Sequence, residues 1–202
     1  METQCLYIVL TRPNTSISKL IKLITKDDYT HASISLDKSL ETMYSFGRKH
    51  TYNPFIGKFK QENLNKGIYR FCRKLPGMIL EIEVSENQYK KAEDLIQHFI
   101  LNDSYYKYNY KGLIDSLLDK EVCYDDRFLC SEFVYYLLKE SGIPDFNISR
   151  NLVRPQNFLA LRGKIIYEGN LKEMIGSDNS WSLQRIKMGI LYQLSLLLRF
   201  ST

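Results

Sequence analysis

The chain has 202 residues, a formal net charge of +5 and 44% hydrophobic residues, with abundant tyrosine and modest glycine and proline. That suffices for one sizeable domain with a real core, or a domain plus an appendage, and it excludes a disordered chain. The mild positive charge permits contact with an anionic surface or substrate without demanding nucleic acid, and no nucleic-acid partner is expected.

Residues 1–10 have no basic leading region and only a short apolar run, so they do not read as a signal peptide. Residues 5–10 predict a first buried strand, and Arg12, Pro13, Asn14 and Thr15 a turn. Ser16 or Ser18 is placed to cap a helix through Ile24, with Leu20, Ile21, Leu23 and Ile24 as its apolar side. In residues 29–36, Ala32, Ile34 and Leu36 alternate with His31, Ser33 and Ser35, and a period of two predicts a strand with one buried face. Asp37, Lys38 and Ser39 then predict a turn, and residues 40–46 the returning strand.

Residues 47–74 read as irregular and basic: Arg48, Lys49, Lys58, Lys60, Lys66, Arg70, Arg73 and Lys74 stand against one acid, Glu62. The charges fit either a solvated face or a loop that attracts an anionic substrate or surface. Within this segment residues 67–72 suggest a strand. Residues 78–84 predict another, apolar at Met78, Leu80, Ile82 and Val84, with Glu81 and Glu83 between and Ile79 as the exception. Ser85 and Gln88 form a capping-box pattern for a helix whose inner face is Tyr89, Ala92, Leu95, Ile96, Phe99 and Ile100. Tyr105, Tyr106, Tyr108 and Tyr110 lead into a short helix at residues 113–118.

Residues 128–142 predict the helix around which the chain is organised. Phe133, Val134, Leu137 and Leu138 recur at helical spacing, Asp125 and Asp126 stand before it, and Gly142 and Pro144 end it. Cys130 lies on the apolar face at the N-terminal end. The helix dipole there favours thiolate over thiol, which is how a cysteine nucleophile is made; the competing reading is a small buried hydrophobe. Residues 153–158 predict a further helical turn and residues 164–167 a last short strand.

Residues 181–200 are rich in Ile and Leu, with only basic charges at Arg185, Lys187 and Arg199. Three uses are open: a core helix, a helix packed on a second copy or another partner, and an interfacial helix on a membrane surface. The expected organisation is a catalytic domain over residues 1–175 and an amphipathic helical segment over residues 176–202. No stretch has the length and purity of a membrane-spanning helix, so a cytoplasmic protein is expected. Cys5, Cys72, Cys123 and Cys130 include no Cys-x-x-Cys pair, and His31, His50 and His98 fit no familiar zinc pattern; neither a metal nor a cofactor is expected.

A cysteine nucleophile needs a base, usually a histidine. His31 begins a strand on its polar side, whereas His98 lies within an amphipathic helix and His50 in the basic segment. The runs Thr30-His31-Ala32-Ser33-Ile34-Ser35-Leu36-Asp37, Leu129-Cys130-Ser131-Glu132-Phe133-Val134 and Arg154-Pro155-Gln156-Asn157-Phe158 resemble the circularly permuted NlpC-type, papain-like thiol hydrolases. The permuted order, histidine before cysteine, is shared with lecithin:retinol acyltransferase-like proteins. The resemblance covers roughly residues 3–168. It implies an α+β, papain-like, circularly permuted fold, with a small antiparallel sheet packed against the helix that carries the cysteine. It also implies hydrolysis or acyl transfer at an amide or ester through a thioester, with Cys130 as nucleophile and His31 as base. Candidate substrates are small molecules, cell-wall peptides and lipid-type amides or esters.

The family often places a polar group on the strand after the histidine strand to orient the imidazole, but Met43-Tyr44-Ser45-Phe46 offers no carboxylate there. With residues 37–39 as a three-residue loop, Leu36 pairs with Leu40 and His31 faces Ser45, which becomes the expected third catalytic residue. The alternative for Ser45 is a plain sheet serine. At the level of function, the alternative is a catalytically weak binding module on the same fold.

Overall fold

The computed structural model describes residues 4–50, 53–143 and 146–174. Alternating apolar residues build most of its strands. In chain order the elements are β1 (Gln4–Thr11), α1 (Ser16–Thr25), β2 (His31–Ser35), β3 (Met43–His50), β4 (Asn53–Glu62), β5 (Pro76–Val84), α2 (Glu86–Leu101), β6 (Lys107–Tyr108), α3 (Tyr110–Leu117), β7 (Arg127–Phe128), α4 (Cys130–Glu140) and β8 (Lys164–Asn170), with 3₁₀ turns at Gly67–Phe71, Arg150–Leu152 and Pro155–Ala160. Six strands form one sheet in the order β4-β3-β2-β1-β5-β8, antiparallel at every step. Strands β6 and β7 make a separate parallel pair. The fold is α+β.

Both faces of the sheet are covered. On one, Leu6, Ile8, Leu10, Ala32, Ile34, Leu80 and Ile82 pack with Ala92, Ile96 and Phe99 of α2 and with Phe133, Val134 and Leu137 of α4. On the other, Tyr7, Val9, Met43 and Ile79 pack with Leu40, Leu64, Tyr69, Leu75 and Leu171. The second layer explains why Ile79 breaks the alternation of β5: it faces a smaller core rather than water. Phe133 holds α4 in register, its ring 5.5, 5.4 and 5.0 Å from those of Phe46, Phe59 and Phe99. Truncating such a ring costs about 3–5 kcal/mol, a large part of the ~5–15 kcal/mol that holds a domain together. The start of α4 is therefore fixed against the sheet.

Several local details differ from the sequence reading. Thr15, rather than Ser16 or Ser18, caps α1 by accepting from Ser18 N at 3.2 Å. The apolar side assigned to α1 is largely open: Leu20, Leu23 and Ile24 are 54%, 77% and 49% exposed. Residues 47–50 and 53–62 are not irregular, because β3 continues to His50 and pairs with β4. Gly67–Phe71 is a 3₁₀ turn instead of a strand. The capping box of α2 is present, with Ser85 N donating to Gln88 Oε1 and Gln88 N to Ser85 Oγ. Gly142 stands just past α4 with φ +74°, in the left-handed region that suits glycine. Pro144 and the segment 176–202 lie outside the described residues, and so do all three uses considered for residues 181–200. Among the described residues, no helix is long and apolar enough to cross a membrane.

Candidate active site

The Cys-Ser-Glu sequence builds the start of α4 from its own side chains. Glu132, fully buried, reaches back to accept the N–H of Leu129 at 2.5 Å, and Asn109 Nδ2 donates to both of its carboxylate oxygens at 3.3 and 3.2 Å. Burial pushes the Glu132 carboxyl up, while the Leu129 N–H and Asn109 oppose that shift. Ser131 Oγ donates to Val153 O at 2.5 Å, which fastens the Arg154-Pro155 turn beside the helix. Cys130 is thereby the first helical residue and is 8% exposed. The first intrahelical bond runs from Phe133 N to Leu129 O. The N–H groups of Cys130 and Ser131 precede it and have no intrahelical acceptor.

His31 opens β2 opposite Thr11 of β1. Its ring lies near enough to Cys130 for the sulfur to raise the affinity of the imidazole for its proton, and both residues line one cleft. His31 Nε2 is 2.9 Å from Glu62 Oε2. The Glu62 side chain is only 2% exposed and is held from three directions. Oε2 also accepts from Tyr69 OH at 3.1 Å, and Oε1 pairs with Lys60 Nζ at 3.0 Å. Glu62 belongs to β4 and reaches His31 across β3. Gly47 leaves room for the crossing: a Cβ there would stand 3.0 Å from Lys60 Cε and 3.4 Å from Glu62 Oε1, close enough to crowd both side chains.

The charges support one another. Burial lowers the affinity of His31 for its proton, but Glu62 and then Cys130 outweigh it and raise the imidazole to about 10. For Glu62, burial acts upward, and His31 followed by Lys60 bring the carboxyl down to about 2. Burial, then the Glu62 charge, pushes the Tyr69 phenol well above its ordinary value, which keeps it a donor. At neutral pH the arrangement is an imidazolium held between a carboxylate and a sulfur.

Ser45 is not in this chain of contacts. The pairing of Ile34 with Tyr44 sets a β2–β3 register two residues away from the expected one. Continued along the strands, it places Ser33 opposite Ser45 and Gly47 opposite His31. Ser45 Oγ donates instead to Ala32 O at 2.7 Å, and the outer nitrogen of His31 is occupied by Glu62. Ser45 is a buried sheet serine, and the orienting group is Glu62. The sequence did hold one signal for it: Glu62 is the only acid among eight cations in residues 47–74.

His31, Lys60, Glu62, Tyr69 and Cys130 line a cleft of about 270 Å³. Leu20 and Ile21 of α1 form part of its wall, and Tyr108, Tyr110, Leu113 and Leu117 another. The proline-led turn is tied to the loop before β2, since Gln156 Oε1 accepts from Asp28 N at 3.1 Å and Arg154 lies 3.5 Å from Asp27. His98 is engaged elsewhere, its Nε2 2.9 Å from Tyr106 OH. The His50 side chain lies outside the description. Cys5, Cys72, Cys123 and Cys130 are all free thiols. Among the described residues no cluster of His, Cys, Asp and Glu could hold a metal ion. Compared with protein-family models, curated proteins and solved structures, the chain matches none of them.

Proposed function

We propose that this chain is a thiol hydrolase or acyltransferase of the permuted NlpC-type, papain-like kind, acting on an amide or ester through a thioester on Cys130. The observation that carries the reading is the grouping of Cys130, His31 and Glu62 in the lining of one cleft, with Cys130 at a helix start and Glu62 on the imidazole. The nucleophile in such chemistry is the thiolate. Glu62 keeps His31 charged, so an imidazolium stands near Cys130 with a proton to give. The sulfur attacks the carbonyl carbon, and the oxyanion formed is met by the N–H groups of Cys130 and Ser131, which the helix leaves without an intrahelical acceptor. His31 then gives its proton to the departing amine or alcohol as the tetrahedral species collapses to the thioester. Water, or a second alcohol or amine, next loses a proton to His31 and attacks the thioester, releasing the acyl group and restoring the thiolate.

The apolar walls from α1 and α3 favour a substrate with an apolar acyl part over a wholly polar peptide. A weakly active binding module is less favoured, because the imidazole does have a carboxylate partner, Glu62 of β4. Four free cysteines suit the cytoplasm, where thiols stay reduced.

The test is a panel of p-nitrophenyl acyl esters and acyl amides, assayed with the native protein and with Cys130→Ala. Turnover that disappears in Cys130→Ala, with an acyl adduct on Cys130 caught by mass spectrometry after rapid quenching, is the expected result. An acyl adduct on no cysteine, together with equal turnover in both proteins, would sink the reading.

A further inference from the structure

Adjoining the cleft at the start of α1 is a second groove of about 860 Å³. Its lining includes Arg12, Lys19, Lys22, Arg73 and Lys74 and no acidic residue. We propose that this groove binds a phosphate group, as monoester or diester, carried by the molecule whose acyl bond reaches Cys130. The assignment deepens the thiol-hydrolase reading and rests on it for the fate of the ligand, but not for its binding.

The charge balance carries the inference. A merely solvated basic face has acids interleaved among its cations. Here Arg12 and Lys22 share one carboxylate, Asp28, at 3.3 Å each, and that side chain is 70% exposed. Lys19, Arg73 and Lys74 are exposed and have no ion pair among the described residues. Five cations facing a concave wall against one outlying carboxylate concentrate positive potential in the groove. Two of them are guanidinium groups, whose planar forks match phosphate oxygens. Continuity supplies the second argument. Pro13, Thr15, Ser18 and Ile68 line both the groove and the catalytic cleft. One ligand can therefore place an anionic group on the basic side and an apolar acyl group against Leu20, Ile21 and Leu113. The phosphate can belong to a lipid headgroup in a bilayer or to a soluble ester.

The experiment uses the full chain with Cys130→Ala, so that binding is read without turnover and is independent of whether Cys130 is a nucleophile. Calorimetry with inorganic phosphate and with glycerol 3-phosphate reads the soluble source. Co-sedimentation with phosphatidylcholine vesicles, with and without phosphatidylglycerol, reads the lipid source. The same measurements are made on Lys19→Ala/Arg73→Ala/Lys74→Ala and on a control of equal charge loss away from the groove, Lys90→Ala/Lys91→Ala/Lys107→Ala, all six residues being exposed. Binding in either arm, weakened by roughly a hundredfold in the groove variant and far less in the control, is expected if each cation near an anionic surface is worth about a factor of five. Binding in the soluble arm identifies a free phosphate ester, and binding in the vesicle arm alone a headgroup. No binding in either arm, or equal losses in the two variants, overturns the proposal.

Discussion

Glu62 Oε2 lies 2.9 Å from Nε2 of His31, although β3 runs between their strands. A carboxylate at that place fixes both the tilt of the ring and the nitrogen that carries the proton, and it stabilises imidazolium as a hydroxyl cannot. The carboxylate is itself fixed by Tyr69 and Lys60, so the orientation of His31 is determined three residues deep.

Glu62→Gln is expected to slow acyl-ester turnover by between about tenfold and 10⁴-fold, the span seen when such orienting groups are changed. A structural role alone would also lower the rate, so the discriminating readout is the pH profile. The native protein should keep its imidazolium well above the ordinary histidine range, because Glu62 raises His31 to about 10. In Glu62→Gln the alkaline limb of the thiol alkylation profile should move to lower pH. Slower turnover with an unmoved limb would show that Glu62 does not set the protonation of His31.

The same pair makes stability depend on pH in two directions. Glu62 falls from 4.5 to about 2 on folding, so its contribution is present above 4.5 and is lost as pH drops toward 2. His31 rises from 6.5 to about 10, so its contribution is present below 6.5 and is lost as pH climbs through 10. The stability gap between the native protein and Glu62→Gln should be widest between 4.5 and 6.5 and should narrow on both sides. Urea midpoints of the two proteins across pH measure it. A gap that stays constant across pH would show that the two groups do not titrate as a pair.

Cys130 and His31 were legible in the sequence because their signals are local: a helix start with apolar residues at helical spacing, and a strand with a period of two. Glu62 was not, because its partner is set by how β4 pairs with β3 and β3 with β2. The charges and glycines of residues 47–62 hide the alternation of that hairpin. The register error at Ser45 has a related cause. A shift of two residues keeps every side chain on the same face, so the polar pattern of β2 cannot detect it. What lengthens the loop is Leu40, left-handed at φ 54° and buried in the second core, while Ser35 Oγ donates to Thr42 O at 2.8 Å. Neither feature is announced by Asp37, Lys38 and Ser39.

Ser45→Ala should therefore leave turnover unchanged and cost about 0.5–1.5 kcal/mol of stability through the lost bond to Ala32 O. Parallel measurements of rate and urea midpoint separate the two effects. A fall in rate beyond twofold at unchanged stability would return Ser45 to the site.

Cys130 and Cys123 offer the sharpest contrast, because exposure and chemistry rank them in opposite order. Cys123 is exposed, while Cys130 is 8% exposed at the floor of the cleft. If access alone set the rate, iodoacetamide would modify Cys123 first. Thiolate character is what governs alkylation, and of the two only Cys130 lies near an imidazolium held by a buried carboxylate; Cys123 Sγ sits 3.5 Å from Ser149 Oγ. Site-resolved labelling of the native protein near neutral pH should therefore find Cys130 modified first, and His31→Ala should abolish that preference while leaving Cys123 unchanged. The partly buried Cys5 and Cys72 should lag behind both. Labelling of Cys130 no faster than of Cys123, at every pH tried, would mean that the sulfur is a packed hydrophobe and that the contacts around His31 serve stability alone.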